Sequence, residues 1–166
     1  MPLPRSFYFI RHGQTDWNVA ARLQGHTDVP LNKTGEQQAE DAAPLLKNIP
    51  LDIAVTSDLC RAELTAQKSL IDHNIPLHKH TGLRERGFGD WEGQLSAEAK
   101  RSAGLNPQAR LLDHTGEIIF VAHGYVFVAL TLVLIQKDHM CENAIPYHFK
   151  KISPNNWEIT KLEPST

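Results

Sequence analysis

Short apolar runs alternate with longer helix-like stretches along this chain, and three of the runs stop abruptly on polar turns that carry Arg or His. Ser6–Ile10 ends at Arg11-His12-Gly13, Ile53–Thr56 at Ser57-Asp58-Leu59-Cys60-Arg61, and Glu117–Ala122 at His123-Gly124. Unbroken apolar strands of this length are buried on both faces, which argues for a parallel sheet rather than a solvent-facing meander. Between them lie three expected helices. The first is capped by Thr34 and runs to Leu46. The second spans Leu59–Asp72, with apolar residues at Leu59, Ala62, Ala66, Leu70 and Ile71. The third is Val126–Gln136. Leu77–His80 reads as a short strand, and Tyr147–Ile152 with Trp157–Leu162 as a hairpin around Pro154-Asn155-Asn156. Gln14–Asn32 is polar and turn-rich without periodicity, and Ser96–Thr115 reads as one helix and a loop. Alternating strands and helices predict an α/β fold, a mainly parallel central sheet covered on both faces.

Composition narrows the function classes. A chain of 166 residues fits one domain, 1–166. With 41% hydrophobic and 22% charged residues it is neither disordered nor fibrous. A net charge of −2 supplies no general attraction for nucleic acid. The longest apolar run, Val126–Ile135, is half of the roughly 20 residues that span a bilayer, so no membrane partner is expected. The N-terminal residues lack the pattern of a secretory signal. Cys60 and Cys141 form neither a disulfide framework nor a metal pair, which fits a cytoplasmic location. His78-Lys79-His80 lacks a third ligand and reads as a solvated strand end, so no metal or other cofactor is implied. Oligomeric state leaves no signature.

In open α/β sheets, ligands bind beyond the carboxyl ends of the strands. Three such ends would bring Arg11, His12, Arg61 and His123 to one edge. Guanidinium forks match phosphate oxygens, and a neutral imidazole can act as a nucleophile. Helices starting just after Ser57-Asp58 and His123-Gly124 would add backbone donors. Arg61 at a helix start opposes the helix dipole, a placement that an anion nearby would relieve.

Five ordered blocks carry a resemblance. They are Arg11-His12-Gly13-Gln14-Thr15-Asp16-Trp17-Asn18 with Arg22-Leu23-Gln24-Gly25; Asp28-Val29-Pro30-Leu31-Asn32 with Gly35-Glu36-Gln37-Gln38-Ala39; Ser57-Asp58-Leu59-Cys60-Arg61-Ala62 with Thr65-Ala66; Leu83-Arg84-Glu85 with Gly89-Asp90-Trp91-Glu92-Gly93; and Val121-Ala122-His123-Gly124. Together they resemble the histidine phosphatase superfamily, in its phosphoglycerate-mutase-like branch. The resemblance implies a three-layer α/β/α sandwich. It implies His12 as the nucleophile that becomes phosphohistidine, Glu85 as acid and base, and Arg11, Arg61 and a protonated His123 around the phosphoryl group. It places Thr15, Asn18, Gln24, Gly25 and Gly124 with them at the substrate. His12 then needs one ring N–H held by a backbone carbonyl just downstream. Glu85 needs a raised pKa, which its neighbours Arg84 and Arg86 would oppose unless turned away. Trp91 reads as a packing residue that fixes the turn after Glu85.

Departures from the pattern favour hydrolysis over mutase chemistry. Mutases of this type carry a tyrosine three residues after the acid/base Glu, where this chain has Phe88. Their substrate-gripping Lys falls at Ser96, and the segment for their Arg pair is shortened. Tyr125 stands where a small residue or Asn is usual. Only 23 residues separate Gly93 from Glu117, too few for the helical lid of larger relatives. The expectation is therefore a shortened lid insertion, an open pocket, and a metal-independent phosphomonoesterase acting on a small phosphorylated substrate. The blocks look most like broad-specificity and α-ribazole phosphatases. The alternatives are phosphoglycerate-mutase-type transfer, a protein phosphohistidine phosphatase, and a non-catalytic binder of phosphorylated ligands.

Overall fold

A computed structural model of the chain describes residues 6–96 and 116–164. Six strands form one sheet: β1 (Phe7–Arg11), β2 (Ile53–Thr56), β3 (Leu77–Lys79), β4 (Ile118–Ala122), β5 (Pro146–Ser153) and β6 (Asn156–Lys161). Their order is β3-β2-β4-β1-β5-β6. The first four are parallel, and the β5–β6 ribbon adds on antiparallel to β1. Among the described residues the α-helices are α1 (Asp16–Val19), α2 (Lys33–Leu46), α3 (Cys60–Ser69) and α4 (Gly124–Ile135).

The strand patterns are explained by layers on both faces. All five residues of β4 are buried, because helices cover it on either side. On one face Ile10, Ala54, Ile119 and Val121 meet Ala42 and Leu46 of α2, Ala66 of α3 and Leu70 just past its end. On the other, Phe7, Phe9 and Phe120 meet Phe127, Leu130 and Leu134 of α4, joined by Phe149 and Trp157 from the ribbon. Phe7 stacks on Phe149 at 4.7 Å and meets Phe120 edge-on at 5.5 Å. The expected three layers are present.

Helix boundaries moved for identifiable reasons. The cap of α2 is Asn32, not Thr34: its side chain accepts from Gly35 N at 2.9 Å, while its amide reaches Gln14 and Asp16, each at 3.1 Å. The short α1 lies inside the stretch expected to be irregular. Its signal was the Thr15/Asn18 capping box, in which each residue's side chain accepts from the other's backbone N–H. Helix α3 ends at Ser69 rather than Asp72, and α4 starts at Gly124, two residues before the expected Val126. Trp91 is 42% exposed rather than packed; Trp17 instead approaches Gly93, at 3.2 Å from where a Cβ would stand. The helix and the shortened lid expected near 96–115 fall on residues 97–115, outside the described residues.

Candidate active site

Pairing register puts the ends of β1, β4 and β2 side by side: Arg11 lies opposite Ala122, and Thr56 opposite Val121. The first residues past the strands continue the ladder, with His12 N donating to Ala122 O at 2.9 Å and Ser57 N to Val121 O at 3.0 Å. His12 and His123 are thereby brought side by side, ring centroids 5.1 Å apart with the planes tilted by 59°.

His12 is 2% exposed. Its Nδ1 lies 2.7 Å from the Gly13 carbonyl, a contact that only an Nδ1–H donor satisfies. Nε2 is then the ring nitrogen with a free lone pair. Burial, followed by the charges of Arg11 and Arg61, holds the ring well below the ordinary 6.5, so it is neutral. Gly13 is itself fixed: its N–H donates to Thr65 Oγ1 at 2.9 Å, and that hydroxyl donates to Arg61 O at 2.7 Å. Gly13 also packs against α2, where a Cβ would stand 2.3 Å from Gly35 O. The Asn143 amide holds His12 O at 2.8 Å.

Arg61 is fully buried at the first turn of α3. Its guanidinium donates to Gly25 O at 2.8 Å and Thr27 O at 2.9 Å. Gly25 takes a positive φ of 54°, a conformation glycine adopts without strain. Arg11 donates to Cys141 O at 3.2 Å, and a Cβ on Gly124 would stand 3.4 Å from its Nε. Six buried side-chain polar atoms lack a partner among the described residues: Arg11 Nε, Arg61 Nε, both ring nitrogens of His123, Gln24 Oε1 and Arg86 Nη1. Each costs about 1–3 kcal/mol if it stays unpaired. Four of the six sit on Arg11, Arg61 and His123, and with a neutral imidazole three of those four are N–H donors without an acceptor, so an anion fits the cluster.

With no phosphoryl group present, burial, then the neighbouring His12, Arg61 and Arg11, push His123 well below 6.5; the protonated form expected of it belongs to the site with a phosphoryl group bound. The open pocket expected of a short lid rests on residues 97–115, outside the described residues; His123 and Arg61 themselves are 0% exposed.

Glu85 follows a 3₁₀ turn, Thr81–Leu83, after β3. Its carboxylate accepts from Tyr125 N at 3.2 Å and Arg86 N at 3.1 Å, capping α4 from a distance. Burial raises its pKa above 4.5, against those two donors and the charges of Arg11 and Arg61. Arg84 does not oppose this, because it is turned to a bidentate pair with Asp58. Arg86 lies over the Phe88 ring at 5.8 Å, and Phe88 meets Tyr125 edge-on at 5.5 Å. Thr15 is fully buried, and the capping box commits Asn18 Oδ1, so any contact of that amide with a phosphate oxygen falls to Nδ2.

His12, His123, Arg11, Arg61 and Glu85 are close enough to perturb one another, and Gly124 lies against Arg11; Thr15, Asn18 and Gln24 make no contact with these side chains among those described. The support from Asn143 carries no local signal and exists only through tertiary contact; Thr65 stood in a matching block, but its bond to Gly13 N shows only in the fold. A cleft of about 750 Å³ between the far end of α4 and the β5–β6 ribbon contains none of them. No group of three or more His, Cys, Asp or Glu among the described residues could hold a metal ion. No helix among them is long and apolar enough to cross a membrane.

Comparison with known proteins agrees with this geometry. A family model described as histidine phosphatase superfamily (branch 1) matches residues 7–119. The chain is 43% identical over 93 residues to an uncharacterized phosphatase, PhoE, of Bacillus subtilis, covering 55% of this chain and 48% of that protein. It is 33% identical over 147 residues to a 2,3-bisphosphoglycerate-dependent phosphoglycerate mutase of Cytophaga hutchinsonii, covering 87% and 63%. The chain therefore spans less than two thirds of the length of these relatives. Its fold matches that of an Entamoeba histolytica phosphoserine phosphatase in complex with 3-phosphoglyceric acid, at TM-score 0.78 and 24% identity, over 97% of this chain and 98% of the other.

Proposed function

The chain belongs to the histidine phosphatase superfamily, and from that premise we propose that it hydrolyses a small phosphorylated metabolite through a phosphohistidine intermediate, as one domain in the cytoplasm. The observation that carries this reading is the unpaired polar atoms of Arg11, Arg61 and His123 gathered around a neutral His12.

His12 Nε2 attacks phosphorus, and the ester P–O bond breaks as Glu85 donates its proton to the leaving oxygen. Water then gives a proton to Glu85 and attacks phospho-His12, releasing inorganic phosphate and the free imidazole. Little covalent help is needed beyond this, so placement and charge dominate. Arg11, Arg61 and His123 take the equatorial oxygens, with Thr15, Asn18, Gln24, Gly25 and Gly124 shaping their surroundings. An arriving dianion favours the charged form of His123, reversing the free-state preference. Losing one such donor costs about 2–4 kcal/mol of barrier, by analogy with oxyanion-hole deletions. Hydrolysis is favoured over mutase transfer because Phe88 offers a ring engaged with Tyr125 where a mutase presents a hydroxyl.

The test is hydrolysis of p-nitrophenyl phosphate in EDTA by wild type and His12→Ala, with acid-labile phosphate trapped on His12. The expected result is turnover and trapping in wild type alone; equal rates in both proteins, or none in either, sink the mechanism. Interconversion of 3- and 2-phosphoglycerate that depends on 2,3-bisphosphoglycerate would support the mutase instead.

A further inference from the structure

We propose that Glu92 is a positioning residue for the phosphoryl pocket: its carboxylate holds the 25–27 loop in the shape that aims the Arg61 guanidinium. The proposal rests on the phosphoryl-transfer reading of the site.

Arg61 has no carboxylate partner within hydrogen-bonding distance among the described residues. Its fork is oriented by two backbone carbonyls, Gly25 O and Thr27 O, so the loop's shape becomes the guanidinium's orientation. That loop is outside any helix or strand. Within the loop Thr27 N reaches Gln24 O at 3.1 Å, and one side chain from outside it collects several of its donors. Glu92 Oε1 accepts from His26 N at 2.8 Å and from Phe88 N at 3.1 Å. Oε2 accepts from Thr27 N at 2.8 Å and from the Thr27 hydroxyl at 2.5 Å. Four donors meet the roughly four lone-pair sites of an ionised carboxylate, leaving no place for an amide N–H. The carboxylate also lies against Gly25, where a Cβ would fall 2.0 Å from Oε1. The positive φ and this contact together require glycine there.

The same tie reaches the other half of the site. Phe88 N belongs to the segment that carries Glu85, and His26 Nε2 lies 2.9 Å from Glu85 O. At the far end of the loop, Asp28 Oδ1 accepts from Cys60 N at 2.8 Å, at the start of the helix that bears Arg61. Glu92 therefore joins the acid/base segment to the loop that aims the anion-binding guanidinium, without touching the reacting atoms. Its carboxyl sits below the ordinary 4.5: burial pushes it up, and the donors from Thr27, His26 and Phe88 outweigh that.

Glu92→Gln is nearly isosteric but sets an amide N–H against the donors of one side. Three quantities are measured for it and for wild type: the inhibition constant of orthovanadate, which mimics the phosphoryl group in transfer; kcat and KM for p-nitrophenyl phosphate; and the thermal midpoint. Misaiming a charged donor by an ångström or less predicts vanadate inhibition weakened about tenfold or more and kcat/KM reduced by about 10- to 100-fold in a folded protein. A lower midpoint with unchanged vanadate inhibition and unchanged kcat assigns Glu92 a purely structural role and overturns the proposal. So does a variant that matches wild type throughout. Should the Gln variant fail to fold, Thr27→Val removes a single donor to the carboxylate; vanadate inhibition weakened at least twofold supports the proposal, and unchanged inhibition overturns it. A wild type that neither binds vanadate nor hydrolyses the ester takes down the phosphatase reading and this proposal together.

Discussion

Thr65→Val is the substitution that best isolates how the nucleophile is held. Valine keeps the volume of threonine, so no cavity opens and the change is confined to one hydroxyl. That hydroxyl is fully buried and makes two bonds, accepting from Gly13 N at 2.9 Å and donating to Arg61 O at 2.7 Å. Arg61 O faces the next turn of α3 and is served by the helix, but Gly13 N is left buried with no acceptor. An orphaned buried N–H costs about 1–3 kcal/mol. In a chain of 166 residues, 2 kcal/mol lowers the thermal midpoint by roughly 4–8 °C. The effect on catalysis follows the same path. Gly13 carries the carbonyl that fixes the His12 tautomer, so loosening it lowers kcat several-fold and leaves KM nearly unchanged. Thr65→Ser is the control, losing a methyl group at about 1 kcal/mol while keeping both hydrogen bonds and kcat. Urea unfolding and steady-state kinetics on the three proteins decide the matter. If Val is as stable and as active as wild type, or if Ser is the worse of the two, the account of Gly13 is wrong.

Three further outcomes are expected. Burial raises the folded-state pKa of Glu85, so the folded protein binds the extra proton and stability falls as pH rises from 4.5 through that raised value. Glu85→Gln should therefore melt higher than wild type at pH 7, with the gap closing below pH 4.5, while kcat falls by about 10²- to 10⁴-fold. The bidentate bond from Arg84 lowers Asp58 below its ordinary 3.8, so the pair's contribution is present above that value and is lost as pH falls through the lowered one. Asp58→Asn should accordingly flatten the acid limb of the stability profile, with only a small change in midpoint at neutral pH because the pair is partly exposed to screening water. Burial pushes the Cys60 and Cys141 thiols up to about 11 and about 12. Iodoacetamide at pH 8, followed by mass spectrometry of the folded protein, should therefore label both far more slowly than a free thiol, and rapid labelling of either would contradict the burial described.

What could be read from the sequence was whatever short-range chemistry decides. The strands were visible because β4 and its neighbours are apolar on both faces, and the polar residues ending them marked the site edge. The reach of Gly13 O to His12 was legible because a buried nucleophilic imidazole needs one nitrogen engaged. Helix starts were less so: Asn32 and Thr34 are both good caps, and Asn32 prevails through contacts to Gln14 and Asp16 in the turn beyond β1. The free-state preference of His123 was not legible, because it is set by burial and by the two guanidiniums and His12 that only the fold brings beside it. Asn143 stands far from His12 in sequence, and nothing around it announces the bond it makes.

The strand order has a consequence for how the chain acquires activity. β1 and β2 never pair with each other; both pair with β4, as when Phe7 and Ile53 both meet Ile118. During synthesis the nucleophile and the buried arginine emerge early, yet they have no common frame until a segment late in the chain inserts between their strands. Such long-range closure is slow to form. On the proposed mechanism, an amino-terminal fragment that stops short of β4 lacks the activity, and the first turnover of a refolding sample is a clock for the insertion of that strand.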